Sequence, residues 1–230
     1  MLCQRLTYIY NKSWFVYKLI VKFIIGGIEM VSFQDLDLGY EQCREIYSLI
    51  KNEGANLLSN IKYACDGLRI HWKGTDATLH INQLVSVYDG VDTFVTETGN
   101  DMSFATEKII EVQEVRRANG ASGRVGDPLS KVERSETPAK VDDTSEYYCM
   151  PEASNELKLL IQICEQFDTF TDRIRTSSNE MLQNWTSGNE RDKVVRNFSK
   201  FEEDSVEYKR LITESKDALE KAIANMSRIM

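Results

Sequence analysis

Apolar residues recur at steps of three and four along most of the chain, which is the spacing of one face of an amphipathic helix. The first run leads up to Trp72, and it consists of Cys43, Ile46, Ile50, Leu57, Ile61, Ala64 and Leu68. Ser32 to Asp35 can cap the start of this helix. Gly54 is its weak point, because glycine costs about 1 kcal/mol relative to alanine inside a helix. The pattern predicts a first helix that ends just before Trp72.

The second run follows Gly74 and alternates steps of four and three. It consists of Ala77, Ile81, Leu84, Tyr88, Val91, Val95, Thr98, Met102, Ala105, Ile109 and Val112. Gly90 and Gly99 are weak points, but the phase continues across them, and we therefore predict one long helix. A heptad phase of this kind predicts nearly parallel or antiparallel packing against other helices.

Two further runs with the same periodicity occupy the last third of the chain. One consists of Leu157, Leu160, Cys164, Phe167, Thr171, Ile174, Ser178, Met181 and Trp185, and the other of Val194, Phe198, Phe201, Ser205, Tyr208, Ile212, Ser215, Leu219, Ala222, Met226 and Ile229. These runs predict a third and a fourth helix. Ser187 and Glu190 have the spacing of a capping box at the start of the fourth helix.

A tryptophan followed closely by a glycine separates the two helices of each pair. The first corner is Trp72-Lys73-Gly74, and the second is Trp185-Thr186-Ser187-Gly188. We predict that the chain reverses direction at both corners, because glycine supplies the backbone freedom that such a turn requires. Each pair of helices is therefore expected to form a hairpin.

The stretch between the two predicted hairpins, residues 118–153, has no apolar periodicity. Among its polar and charged residues lie Gly120, Gly123, Gly126, Pro128, Pro138 and Pro151. A composition of this kind predicts a flexible linker.

Together these patterns predict an all-α protein with two long antiparallel helical hairpins. Hairpin 1 is expected to span residues 30–117, and hairpin 2 residues 154–230. An isolated pair of helices buries only one face of each helix, so we expect the hairpins to cover each other as an elongated four-helix bundle. The sequence leaves open whether they pack within one chain, as an intramolecular pseudo-dimer, or between two chains, as a homodimer.

The formal charge of -8 limits the classes of partner. Phosphate backbones and anionic membranes both attract basic surfaces, so we expect no nucleic-acid partner and no membrane insertion of the mature chain. The chain has 5 cysteines, which are scattered and show no Cys-x-x-Cys spacing. Buried thiols in a reducing cytoplasm are therefore favoured over a disulfide framework or a zinc site.

Residues 1–29 differ in character from the rest of the chain. Their apolar residues are interrupted by Lys18 and Lys22, whereas a membrane span needs roughly 20 nearly uninterrupted apolar residues. The run from Gly26 to Met30 is compatible with the translation of a ribosome-binding site, a short spacer and a start codon. We interpret residues 1–29 as an untranslated leader or non-native extension, with Met30 as the biological start. A signal-anchor is the alternative.

No group of residues in the sequence predicts catalysis, and we assign no catalytic, cofactor-binding or metal-binding residue. The 2 histidines are His71 and His80, with Asp76 between them. Their separation puts them on opposite sides of a turn, so ordinary hydrogen-bonded or exposed imidazoles are favoured over a metal site. The sequence has no Gly-rich phosphate loop and no recognisable Ser-His-Asp or Cys-His pairing. We therefore expect a protein that is not an enzyme and needs no cofactor.

A helix, a Trp-x-Gly corner and a second helix, in the order predicted for residues 31–117, resemble the WXG family. This family comprises the small early-secreted-antigen-like proteins of type VII secretion in Gram-positive bacteria. Residues 154–230 resemble it more loosely, because the second corner has one extra residue between Trp185 and Gly188. The resemblance implies a non-enzymatic hairpin that pairs with a like hairpin. It also implies folded export from the bacterial cytoplasm without a cleaved signal peptide.

The resemblance also implies a role for the corners. Trp72 and Gly74 at the first corner, and Trp185 and Gly188 at the second, are expected to close the hairpins. For the tryptophans, packing at the hairpin end and recognition by the export machinery are compatible roles. The expected partner is a protein: a secretion ATPase, a helical effector or a like hairpin.

Members of the family often carry a Tyr-x-x-x-Asp/Glu export signal after the second helix. Tyr148 and Glu152 in the predicted linker have this spacing and lie beyond the first hairpin. Tyr88 and Asp92 have the same spacing but lie inside the second predicted helix, and they are the weaker candidate.

Two functions are therefore expected from the resemblance. The first is an exported substrate or effector partner of a type VII secretion system, acting by protein–protein interaction. The alternative is a cytoplasmic helical adaptor or chaperone for a larger toxin, which is not itself exported.

Overall fold

Four long helical segments make up most of the part of the protein that the structure describes. A computed structural model describes residues 32–142 and 146–226, so the interpretation of residues 1–29 lies outside the described part. The first segment comprises helix α1 (Leu36–Leu49), a π-helical turn (Ile50–Gly54) and helix α2 (Ala55–His71); the others are α3 (Thr75–Ala118), α4 (Ala153–Asn184) and α5 (Asn189–Met226). The predicted all-α fold with two helical hairpins is confirmed.

The π-helical turn lies where the first hydrophobic run is interrupted. A π turn contains one more residue than the corresponding α-helical turn, and it brings the apolar positions on both sides onto the same buried face. Gly54 ends this turn, and a Cβ atom added there would lie 2.8 Å from Cγ2 of Val95 in α3. The glycine that weakens the helix locally therefore permits close packing between the first segment and α3.

Hairpin 2 packs against hairpin 1 within the same chain. Cys43 in the middle of α1 contacts Met181 near the end of α4, with the two sulfur atoms 3.7 Å apart. Asn60 in α2 donates a hydrogen bond of 2.8 Å to Gln166, which lies earlier in α4. As the numbering rises along the first segment it falls along α4, so these neighbouring helices are antiparallel.

Helices α3 and α5 form the second contact between the hairpins, and they are also antiparallel. Asp101 in α3 pairs with Lys193 at the start of α5 at 2.5 Å, and Gly90 packs against Tyr208 further along α5. Phe94 lies in this interface, where its ring stacks on Phe201 with centroids 3.8 Å apart. Phe94 is absent from the predicted hydrophobic stripe because α3 packs on two helices, so its buried face is wider than one stripe.

Within residues 32–142 and 146–226, four very short strands tie each corner to the segment that precedes the other hairpin. Strand β1 (Ser32–Phe33) pairs with β4 (Trp185–Ser187), and β2 (Trp72–Lys73) pairs with β3 (Tyr148–Cys149); both pairs are antiparallel. Beyond each pair, one more backbone bond continues the contact: Gln34 N–H donates to the carbonyl of Asn184, and Met150 N–H to that of His71. The two corners are thus held in the same manner.

Within the predicted linker, residues 119–124 are exposed, whereas the residues that follow are held against α3 by hydrogen bonds. Residues 126–142, which we call the strap, run antiparallel along α3. The side-chain amide of Asn100 donates to the carbonyl of Val132 and accepts from its N–H, at 3.1 and 2.9 Å. Asn82 holds Val141 in the same way, at 2.9 Å for both bonds. The bonds that fix the strap come from side chains of α3, so the composition of the strap itself gives no sign of them.

In the described part of the chain, none of the helices combines the length and the apolar character that crossing a membrane requires.

Candidate functional site at the two corners

The first corner joins α2 to α3 through two residues with extended backbone and one glycine. Trp72 ends α2 with φ of -137° and ψ of 123°, and Gly74 precedes α3 with φ of 114°. Positive φ values in this range favour glycine, because a side chain would clash with the neighbouring backbone. The Trp72 side chain is only 2% exposed, so it closes the end of hairpin 1 from inside.

Aromatic and strand contacts surround Trp72. His80, in the second turn of α3, stacks on the indole with ring centroids 5.9 Å apart and an interplanar angle of 11°. On the other side, Trp72 pairs through its backbone with Cys149 of β3. Among the described residues, the indole N–H of Trp72 has no hydrogen-bond partner.

An open cavity of about 450 Å³ lies beside the first corner. The Trp72 and His80 rings and the exposed Tyr147 form part of its wall. The remaining lining comes from the start of α3 and the last turns of α5: Asp76, Glu214, Asp217, Ala218, Lys221, Ala222 and Asn225. Since both charge signs are present, the lining does not define a ligand by charge alone.

The second corner also turns at a glycine with a positive φ, and an aromatic ring covers its tryptophan. Gly188 has φ of 128°, and Trp185 is 1% exposed. Phe33 stacks on the Trp185 indole with ring centroids 4.9 Å apart, and Arg191 Nε donates to the Trp185 carbonyl at 2.5 Å. Phe33 thereby covers the second tryptophan.

A buried carboxylate beneath the first corner was not anticipated from the sequence. Glu156, in the first turn of α4, accepts or shares a hydrogen bond with Nδ1 of His71 at 3.2 Å and is 9% exposed. Gly67 in α2 leaves room for it, because any Cβ at that position would overlap the Glu156 side chain. The only sequence signal was a glycine inside a predicted helix.

At the second corner, Asn184 directly precedes Trp185, as His71 precedes Trp72 at the first. Its side-chain oxygen accepts from the N–H of Asp35 at 2.9 Å, and its amide nitrogen donates to the Asp35 carbonyl at 2.9 Å. The Asp35 carboxylate in turn caps α1 by accepting from the N–H groups of Asp37 and Leu38. One amide therefore connects the second corner with the start of hairpin 1.

The structure separates the two candidate export motifs by exposure. Tyr148 is half-buried in β3, and its hydroxyl donates to the carbonyl of Ile70 at 3.5 Å; Glu152 is exposed just before α4. Tyr88 is 2% exposed and Asp92 1% exposed, and burial raises the pKa of the Tyr88 hydroxyl. Glu152 and part of Tyr148 are therefore accessible to solvent, whereas the weaker pair is inside the packed protein.

The predicted site residues fall at opposite ends of α4. Trp72 and Gly74 lie next to Tyr148, because β2 and β3 pair near the start of α4. Trp185 and Gly188 lie beyond its other end. We call the end of the bundle where β2 pairs with β3 the first end. It brings together one corner and the better-exposed candidate export motif, and the sequence alone could not show that these are neighbours.

The part of the chain that the structure describes contains no group of three or more His, Cys, Asp or Glu residues placed to hold a metal ion. The thiols of Cys43 and Cys65 are buried, and burial raises the pKa of each to about 12. A thiol with so high a pKa stays protonated at neutral pH and is a poor nucleophile.

Comparisons of the chain with protein-family models, with curated proteins and with solved structures found no match. The resemblance to the WXG family therefore rests on the sequence pattern alone.

Proposed function

We propose that this protein is a non-enzymatic component of a bacterial type VII secretion system, in which two WXG-like hairpins are joined in one chain. It acts by protein–protein interaction, as an exported substrate or as the partner of an effector. The observation that carries this proposal is the pair of Trp-Gly corners, each tied to the segment preceding the other hairpin.

The first end of the bundle is the proposed recognition end. Trp72 and Gly74 lie there beside Tyr148, and Glu152 follows on the same surface-exposed segment. Both tryptophans are buried beneath a stacked ring, but an open cavity lies beside Trp72 at the first corner. In this proposal the second corner mainly closes hairpin 2, while the first corner also contacts the export machinery.

Secretion by the native host tests this assignment. Tyr148→Ala and Glu152→Ala alter residues that are exposed or half-buried, so the fold is expected to persist; Trp72→Phe removes the indole N–H but keeps an aromatic ring. We expect each variant to accumulate in cells and to fall severalfold in the culture medium. Thr186→Ala, at the exposed part of the second corner, is the matched control and should be secreted normally.

Unchanged secretion of all three first-end variants, at unchanged helicity, would remove the recognition role of this end. A chain that stays in the cytoplasm in stoichiometric complex with a larger toxin would favour the adaptor or chaperone function instead.

A further inference from the structure

The strap fills the outer groove of hairpin 1, which is the groove between the first helical segment and α3 on the side away from hairpin 2. The Tyr40 hydroxyl bonds to the backbone of Asp127, donating to its carbonyl at 2.9 Å and accepting from its N–H at 2.8 Å. The Tyr47 hydroxyl donates to the carbonyl of Ser130 at 2.8 Å. These tyrosines hold the strap from the α1 side, while α3 holds it from the other.

The hairpin 1 groove recognises mainly the backbone of the strap. The bonds from Asn82 and Asn100 join backbone groups of the strap to side-chain amides, and such bonds do not depend on which side chain the strap carries. Side chains of the strap add to this: Leu129, Val132 and Val141 pack against the core, Pro138 is buried, and Arg134 and Thr137 bond to Asp92 and Asp89 of α3. The strap is thus an extended segment with spaced apolar anchors.

Hairpin 2 has a corresponding outer groove between α4 and α5, and it contains an open cavity of about 80 Å³. Ile174 and Leu182 of α4, with Val195, Phe198 and Phe201 of α5, supply its apolar lining. Leu182 and Val195 are only half-buried. In the part of the chain that the structure describes, no segment covers this groove.

The cavity lies in the half of the groove next to the second corner. Val195 and Glu202 are about as far along the chain from Gly188 as Asn82 and Asp89 are from Gly74. On hairpin 1 this half of the groove is covered by the last part of the strap, where Thr137 bonds to Asp89 at 2.7 Å and Pro138 is buried. The cavity therefore corresponds to the place that Pro138 and Val141 occupy on hairpin 1.

Polar groups line the rim of the hairpin 2 cavity. Arg175 Nε donates to Glu202 at 2.9 Å across the groove, and Ser199 and Asn179 provide further hydrogen-bonding groups. An apolar floor with a few polar groups at its edge is the usual composition of a small peptide-binding site.

We propose that the outer groove of hairpin 2 binds an extended segment of a protein partner, which inserts a proline or branched aliphatic side chain into this cavity. The segment lies on hairpin 2 as the strap lies on hairpin 1. This inference rests on the proposed action through a protein partner, and it assigns that action to one surface.

Binding of a peptide that copies residues 134–142 to the full-length protein tests the proposal. The hairpin 1 groove is already filled by the strap, so the peptide should bind to hairpin 2. We expect saturable shifts in the NMR amide signals of Leu182, Val195 and Ser199, with a Kd of about 1 mM, which is typical of one small anchor in a shallow groove. A peptide with glycine in place of the residues that correspond to Pro138 and Val141 should not bind.

Two protein variants give the matched comparison. Leu182→Arg places a charged side chain at the cavity and should weaken peptide binding at least about tenfold, since an unpaired charge disfavours an apolar anchor. Val206→Asp changes an apolar side chain that is 73% exposed and lies outside the cavity, and it should leave binding unchanged. Thermal unfolding of both variants confirms that the fold persists.

Saturable shifts at the cavity that are lost in Leu182→Arg support the proposal. Two results would overturn it. One is the absence of binding at peptide concentrations several times the expected Kd, and the other is signal shifts confined to hairpin 1, where the peptide would have displaced the strap. Because this assay does not involve export, its failure is distinguishable from failure of the proposed secretion function.

Discussion

At the scale of single residues, the strictest backbone requirement is at the first corner. Gly74 has φ of 114°, and a Cβ atom added there would lie 3.0 Å from Cδ2 of Tyr147. Both the backbone conformation and the neighbouring ring therefore disfavour any other residue. At the second corner, Gly188 meets the same backbone requirement with φ of 128°.

Gly74→Ala is expected to lower the free energy of unfolding by about 1–3 kcal/mol, because alanine must adopt a strained positive φ. Gly123→Ala is the control, since nothing lies within 4 Å of a Cβ atom added at Gly123; it should change the stability by less than about 0.5 kcal/mol. Urea unfolding followed by circular dichroism measures both values. Equal stability of the two variants would contradict the proposed backbone requirement.

The buried thiols predict a loss of stability in alkali. Burial raises the pKa of the Cys43 thiol from 9.0 to about 12 in the folded protein. The stability that the protonated, buried thiol contributes is therefore fully present below pH 9. It is lost as the pH rises from 9 towards 12, because only the unfolded chain then releases the proton. In this pH range, each such thiol lowers the free energy of unfolding by up to about 1.4 kcal/mol per pH unit.

Cys43→Ala should therefore reduce the fall in unfolding free energy between pH 9 and pH 10.5. The slope is compared, and not the absolute stability, because the smaller side chain also leaves a cavity. Urea titrations at the two pH values give the slope. A slope identical to that of the parent protein would show that Cys43 ionises equally in the folded and unfolded states.

At the scale of elements, the hydrophobic periodicity predicted the helices well because these helices are fixed by burial of one face. Ile61, Leu84, Met102 and Leu219 lie on the predicted stripes and are each fully buried. The long helix α3 continues across Gly90 and Gly99, as its unbroken phase predicted. Burial of a repeating stripe is encoded locally, so it can be recognised from sequence.

The strap and the short strands could not be predicted in this way, because their partners are distant in sequence. Val132 is held by Asn100 of α3, and Ser32 pairs with Ser187, which lies in the other hairpin. Neither segment has a periodicity of its own. The candidate site was predictable in its tryptophans and glycines, whereas its neighbours Glu156 and Phe33 emerged only from the packing of the two hairpins.

Removing one amide of α3 should release the strap locally. Asn100→Ala leaves the N–H and the carbonyl of Val132 without these partners, and we expect a loss of about 1–2 kcal/mol in stability. Hydrogen exchange of residues 129–135 should become faster. Asn52→Ala is the control, since the Asn52 amide bonds only to the exposed Ser48 hydroxyl. Unchanged hydrogen exchange of the strap in Asn100→Ala would show that the two bonds from the Asn100 side chain do not hold the strap in place.

At the scale of the whole molecule, each hairpin depends on the other. α4 covers the first helical segment, α5 covers α3, and each corner pairs with a strand that precedes the opposite hairpin. An isolated hairpin would expose the apolar stripes of both its helices to water. The pair of hairpins is thus an intramolecular counterpart of a two-chain assembly.

Residues 32–142 and 146–226, expressed as two separate chains, are therefore expected to associate in a 1:1 complex. Each chain alone should be poorly helical or self-associated, because burial of its apolar stripe requires a second hairpin. Size-exclusion chromatography with light scattering and circular dichroism gives the stoichiometry and the helix content. Two stable, helical monomers that fail to associate would contradict mutual dependence.

Secretion in the native host, with and without the membrane ATPase of its type VII system, tests the central functional proposal most directly. The proposal predicts that the protein is present in the culture medium of the parent strain and is retained in the cells of the ATPase-deficient strain, with a cytoplasmic marker absent from both media. Retention in the cells of both strains, or equal secretion by both, would contradict it.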